Sequence, residues 1–220
     1  MARQPRFLLA GQPHLIEQRG HNGAPVVLDD DDRQQWLALL RDAVASNRVV
    51  LHAWSLGASG FSLLLTPPTP LALSRTMQTL GRRYVGWFNA RHGRTGTLWD
   101  GRYRACVVEE GEWALCAMRQ VEAPSAIERH RSSLPHHLGD QVDPAISDLR
   151  AYWSLGNTPF DRQAAYRRRL ETGATEAVRL AIERSLRSGR PLGDPVFIAT
   201  LQRDSSTALV PRPRGRPAKR

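Results

Sequence analysis

Lysine is almost missing from this chain: of its 31 basic residues, only Lys219 is not an arginine. Cysteine is nearly as scarce. Cys106 and Cys116 are the only two, and they fit no C-x-x-C spacing. That argues against a disulfide framework and against a thiolate zinc site, so a reducing compartment is expected. No run of 18 apolar residues occurs, so no spanning helix is expected. The apolar run near Met1 is too short for a secretory signal. The expected location is therefore cytoplasmic, associated with the nucleoid. Acidic groups are outnumbered, 21 against 31, which leaves a net charge of +10. Such a surplus favours a polyanionic partner, with nucleic acid ahead of a membrane surface. Arginine is the better phosphate ligand of the two basic residues because it binds in a bidentate fork. Biased genomic base composition would give the same arginine excess.

What is present suffices for a folded core: 220 residues, 41% of them hydrophobic. The first 125 residues alternate between two periodicities. Strands are expected over 14–19, 48–54, 60–66 and 104–109. Helices are expected over 33–47, 71–91 and 112–123. In the longest of these, Leu73, Met77, Leu80, Tyr84 and Phe88 form one apolar stripe. The acidic run Asp29 to Asp32 precedes a helix, where carboxylates complement the positive helix end. A metal site is the sharper reading of that run and capping the plainer one. The order β-α-β-β-α-β-α implies an α+β fold: a ferredoxin-like antiparallel sheet core with helices on one face. Between residues 126 and 159 the periodicity dissolves, and a connector is expected. A helical extension over 160–205 follows. The last stretch, 206–220, reads as a disordered basic tail.

Several blocks resemble the REP-associated tyrosine transposases, relatives of the single-tyrosine HUH insertion-sequence transposases. They are PHLIEQRG, ending at Gly20; LLLTPPTP, from Leu63 to Pro70; and LGRRYVGWFNARHGRTGTLWDGRYRA, from Leu80 to Ala105. SLGNTP at Ser154, RPLGDPVFI at Arg190 and PRPRGRP at Pro211 continue the likeness in the same order. The resemblance implies a core for residues 1–125 that nicks single-stranded DNA. In that family an H-x-H on a central strand holds Mg or Mn. Alternation along the strand explains the spacing, since residues two apart share a face. A tyrosine on the helix after the last strand then attacks the phosphate.

The chain departs from this pattern where the chemistry resides. Aligned without gaps, Gly60 and Ser62 stand where the two metal-binding histidines belong. Glycine has no ligand atom, and serine is a poor one. Arg119-Gln120-Val121-Glu122-Ala123-Pro124 occupies the nucleophile helix, so Gln120 replaces the tyrosine and a following asparagine is lost. No catalytic residue, metal ligand or cofactor is therefore expected. Tyr84 falls on a core stripe, and Tyr103 lies in a block where packing aromatics are usual. His136 and His137 are adjacent and are expected to point apart as solvated connector residues.

The basic equipment remains. Arg19, Arg82, Arg83, Arg94, Arg102 and Arg104 are candidate phosphate contacts. Trp99 is either core or a platform for an unpaired base, and Tyr103 shares the second possibility. His14 and Gln18 serve either a structural hydrogen bond or DNA. In the tail, Arg214 and Arg216 flank Gly215 as in an AT-hook, suited to a narrow minor groove. The leading expectation is a DNA-binding, transposase-like protein without cleavage activity. Its partner would be hairpin-forming or single-stranded repeat DNA, with no membrane involvement, as a monomer or homodimer. The alternatives are an active nicking transposase with an altered site, so enzyme status stays open, and an RNA-binding regulatory module.

Overall fold

Four strands form one sheet in the order β2-β3-β1-β4, every neighbour antiparallel. They are β1 (His14–Arg19), β2 (Val50–Gly57), β3 (Gly60–Thr66) and β4 (Arg104–Val107). The computed structural model describes residues 6–122, 131–205 and 209. Two long helices, α1 (Asp30–Ser46) and α2 (Pro70–Arg91), pack on one face of the sheet. This βαββαβ order is the expected ferredoxin-like α+β arrangement.

The acidic run caps α1. The Asp29 side chain accepts from the Asp32 backbone N–H at 3.0 Å, and Asp32 accepts from Leu28 N–H at 2.7 Å. Asp32 is fully buried and takes Arg91 at 2.6 Å and His92 at 2.9 Å. The start of α1 is thus bonded to the end of α2. Hydrogen bonding to Arg91 also lowers the Asp29 carboxyl to about 2. The capping reading of the run holds, and its carboxylates are engaged by cations of the chain itself. On α2, the expected stripe of Leu73, Met77, Leu80, Tyr84 and Phe88 is buried, and the Tyr84 hydroxyl donates to Val26 O at 2.6 Å.

The opposite face is covered too. It carries α3 (Glu112–Glu122), α5 (Arg150–Trp153), α6 (Pro159–Thr172) and α7 (Glu176–Ser188). Successive apolar residues require this second layer. Leu63 and Leu65 face α1 and α2, whereas Leu64 between them faces α3. A strand that is apolar at every position is buried on both sides.

The expected connector is corrected accordingly. Its described part, 131–159, contains α4 (Leu134–Leu138) and α5, and buries Leu134, Leu149 and Tyr152. Periodicity was weak there because the elements are only five and four residues long. This segment also closes one edge of the sheet. Ser133 N–H donates to Trp54 O at 2.9 Å, and Ser147 N–H to Leu51 O at 2.8 Å. The other edge is closed by Leu192, which exchanges backbone bonds with Val107 and Glu109 at 2.8 Å. Covered edges remove a template for strand-to-strand aggregation. α8 (Pro195–Asp204) ends the described helices.

Candidate nucleic-acid interface

The sheet registers place Glu17, Ser62 and Ser55 abreast across β1, β3 and β2. Arg19, Gly60 and Gly57 form the next row. These rows belong to the α3 face, at an end that the helices leave open. They floor a cleft of about 630 Å³, bounded also by Asn22, Ser59 and Asp100. Gly60 and Ser62, the two positions aligned with the histidines, therefore both lie in this cleft.

Its chemistry is that of a polar groove of mixed charge. The Glu17 carboxylate accepts from Arg19 at 2.9 and 2.7 Å, and Arg104 approaches its other oxygen at 3.5 Å. Two arginines meet Glu17, and Asp100 adds a second carboxylate to the boundary of the cleft. Gly60 is held closely by its neighbour strand. A Cβ there would sit 2.4 Å from the Gln18 carbonyl oxygen and 3.2 Å from Arg19 Cα. Both are backbone atoms of β1, which cannot swing aside as a flexible side chain would. Gln120 is exposed on α3 and is not among the described residues lining the cleft.

The other expected residues divide into groups. Arg19 and Arg104 flank this cleft. Arg82, Trp99, Arg102 and Tyr103 line a second cavity of about 440 Å³, on the α2 side, with Gln18. Arg83 pairs with Asp42 of α1 instead. Arg94 lies 5.5 Å from the Phe88 ring, at the end of α2. Arg214 and Arg216 lie outside the described residues.

His14 is structural. Its Nδ1–H donates to Gln12 O at 2.8 Å, and its Nε2 accepts from Leu9 N–H at 3.1 Å. Burial lowers this imidazole to about 4, against the opposing pull of the Gln12 carbonyl. The role of Gln18 includes a bond to Gly101 O at 3.3 Å.

The sequence reading missed a polar hub beneath α3. Glu122 is 0% exposed and accepts from His137 Nδ1–H at 2.7 Å, from the Tyr166 hydroxyl at 2.8 Å, and from Ser133. His136 and His137 are corrected here: they occupy one helical turn, not an extended segment. Their rings lie 5.1 Å apart, and both Nε2 atoms turn toward one Asp148 oxygen, at 3.6 and 3.5 Å. Burial alone would lower His137, but the Glu122 and Asp148 carboxylates outweigh it and push the imidazole up to about 9. Against its own partial burial, Asp148 is held well below the usual carboxylate range by the two histidines.

Two histidines and an aspartate invite comparison with a metal site. However, His136 Nδ1 accepts the Asp143 N–H at 3.1 Å. Its proton therefore sits on Nε2, aimed at Asp148, and no lone pair is left there for a cation. The cluster is an ion-paired lock between α3, α4 and the 148 region. The clue in sequence was Glu122 itself, a lone acid on the buried face of an otherwise apolar helix.

The fold and both clefts thus define an α+β sheet protein with a polar groove on one face of the sheet. Among solved structures the chain is similar to a REP-associated tyrosine transposase bound to a REP hairpin. The TM-score is 0.50 at 11% identity, over 69% of this chain and 96% of that one. A second similar structure is a candidate transposase from Deinococcus radiodurans, with a TM-score of 0.37 at 23% identity, over 50% of this chain and 88% of that one. No family model matches the chain, and no curated protein matches it by sequence. The first likeness bears on the fold.

Proposed function

We propose that this chain is a DNA-binding protein of REP-associated tyrosine transposase descent that no longer cleaves DNA. The observation that carries the reading is Gly60. The strand it occupies approaches β1 so closely that even a Cβ meets backbone at 2.4 Å. An imidazole does not fit there without separating the two central strands. A divalent metal does not fit the remaining groups either. Gly60 offers no donor atom, Ser62 offers a neutral hydroxyl, and Glu17 is already neutralised by two arginines. At the nucleophile position, the Gln120 amide cannot form a phosphoester.

Binding is supported by what surrounds the lost chemistry. Arg19 and Arg104 flank the cleft, and Arg82 and Arg102 the second cavity. All four are exposed. The net charge of +10 supplies long-range attraction. The solved relative in fold was captured on a hairpin, which directs the choice of probe toward hairpin-bearing single strands. The tail, with Arg214 and Arg216, adds affinity without setting recognition.

The test is to incubate the full chain with labelled hairpin-bearing single strands and Mg²⁺ or Mn²⁺. Binding with a steep salt dependence is expected, and no denaturation-resistant adduct. A metal-dependent covalent adduct would overturn the reading. Removing residues 206–220 is expected to weaken binding and flatten the salt slope by several counterions.

A further inference from the structure

The α2-side cavity differs from the cleft in the sign of its walls. Glu17 and Asp100 stand at the cleft beside Arg19. The cavity, of about 440 Å³, is lined by Arg6, Arg82 and Arg102 and by no carboxylate among the described residues. That volume is within the range of small-ligand sites, roughly 300–1,000 Å³. Three like charges around one space repel each other, and an anion between them turns that repulsion into attraction.

The three arginines are held differently. Arg6 is fixed: its Nε–H and Nη2–H both donate to Tyr103 O, at 3.1 and 2.8 Å, and its guanidinium lies 3.6 Å above the Tyr103 ring. A neutral carbonyl and a ring face anchor the group without cancelling its charge. Arg82 and Arg102 are exposed and form no ion pair among the described residues. Their neighbours do: Arg83 is turned onto Asp42, Arg91 onto the acidic run before α1, and Arg104 onto Glu17. Gln78, also exposed on the cavity wall, lies one turn before Arg82 on α2. Residues four apart share a helix face, so the amide and the guanidinium stand side by side.

We propose that this cavity seats one phosphodiester of a bound DNA strand, gripped by Arg82 and Arg102, drawn by the fixed charge of Arg6, and met at the wall by the Gln78 amide. The inference rests on the DNA-binding reading above. It places a grip on the backbone at the α2 side of the sheet, apart from Gly60 and Ser62. Arginine suits the task because its planar fork matches two phosphate oxygens at once. Such a seat fixes the register of the strand and leaves its sequence unread.

The experiment uses the full chain and a hairpin-bearing single strand in which each phosphate in turn is replaced by an uncharged methylphosphonate. In the wild type one linkage should stand out, with affinity falling about 10-fold, the scale of one hydrogen bond to a charged group. Arg82→Gln and Arg102→Gln should each weaken the intact strand by a similar factor and flatten the salt slope by about one counterion. With both replaced, the sensitive linkage should lose most of its effect. Gln78→Glu places a carboxylate one turn from Arg82, where it pairs with the guanidinium and occupies the seat. It should weaken binding more than 10-fold while the melting temperature holds or rises. Arg184→Gln, an exposed site on α7, removes the same unit of charge elsewhere and is the reference for charge alone. Losses in the cavity variants no larger than that of Arg184→Gln would overturn the seat and leave DNA binding standing. So would methylphosphonate and side-chain effects that simply add. If no strand binds but pyrophosphate raises the melting temperature of the wild type and not of Gln78→Glu, the cavity is a site for free phosphates and the DNA reading falls. Binding of neither strands nor pyrophosphate overturns both.

Discussion

The two ends of the α3-facing side of the sheet have opposite designs. At the closed end, a buried carboxylate is well engaged: Glu122 accepts from His137 of α4 and from Tyr166 of α6, while Asp148, 3.5 Å from His137 Nε2, pairs with it by charge. At the open end, a row of serine and glycine floors a groove in which Glu17, the carboxylate on the central strand, is held by arginines at the surface. A buried polar group is costly unless satisfied, so the closed end tolerates little change. The open end has no such requirement except at Gly60.

The most direct way to break that contrast is at Glu122. Glu122→Ala would leave His137, the Tyr166 hydroxyl and Ser133 facing an uncompensated hole. Removing one member of a buried ion pair costs about 3–5 kcal/mol. Urea denaturation should show a loss on that scale, and a change below about 1 kcal/mol would refute the lock. Glu122→Gln tests charge rather than packing. It should cost less than the alanine variant because the amide keeps the acceptor.

Within the open end, the comparison sharpens between two neighbours on β3. Gly60→Ala drives a methyl into the Gln18 carbonyl and should destabilise by about 1–3 kcal/mol, as overpacking does. Ser62→Ala, half-buried in the same groove and lining its open side, should cost less, about 0.5 kcal/mol or below. Equal melting behaviour of the two variants would show that β1 can move aside at Gly60. A histidine restored at that position would then find room.

The lock should also be visible in pH dependence. His137 is raised in the folded chain to about 9, from an ordinary value of 6.5. Its contribution is therefore fully present below pH 6.5 and is lost as pH rises through about 9. Asp148 is depressed, so its contribution is present above the ordinary carboxylate range and lost as pH falls. His137→Gln should cost most near pH 6, and the gap to the wild type should shrink steadily as pH rises toward 9. A gap that is flat from pH 6 to pH 10 would mean that His137 is neutral in the fold.

Much of this was legible in the residues, and the limits have physical causes. The strands and long helices of the first half announced themselves because Leu63 and Leu65, or Leu73, Met77 and Leu80, repeat over many residues. The second layer did not. Leu64, lying between two core leucines, was the available sign that both faces are buried. The short helices of 131–159 span too few residues for a period, and tertiary packing decides them. The substitutions at Gly60, Ser62 and Gln120 could be read by alignment, but the close approach that excludes a side chain at Gly60 is a strand-to-strand property. Adjacent histidines point apart only in an extended chain, and nothing local announced a helix at His136.

The smallest expected effect concerns the groove's own charge. Glu17 is the only carboxylate on its central strand, and Arg19 and Arg104 are both turned onto it. Ion pairs this exposed contribute little to stability, about 0–1 kcal/mol. Glu17→Gln should therefore leave the melting temperature almost unchanged. It should nevertheless release two guanidiniums toward a passing phosphate and remove a repelling charge. If DNA tracks through this cleft, affinity for a hairpin-bearing strand should rise a few-fold at low salt. The salt slope should steepen by about one counterion. The gain should fade as salt approaches the molar range, where screening shortens to about 3 Å. Unchanged affinity and slope would place the DNA path elsewhere. Only the α2-side cavity and the tail would then remain for binding, and the groove over Gly60 and Ser62 would be a relic with no part in contact.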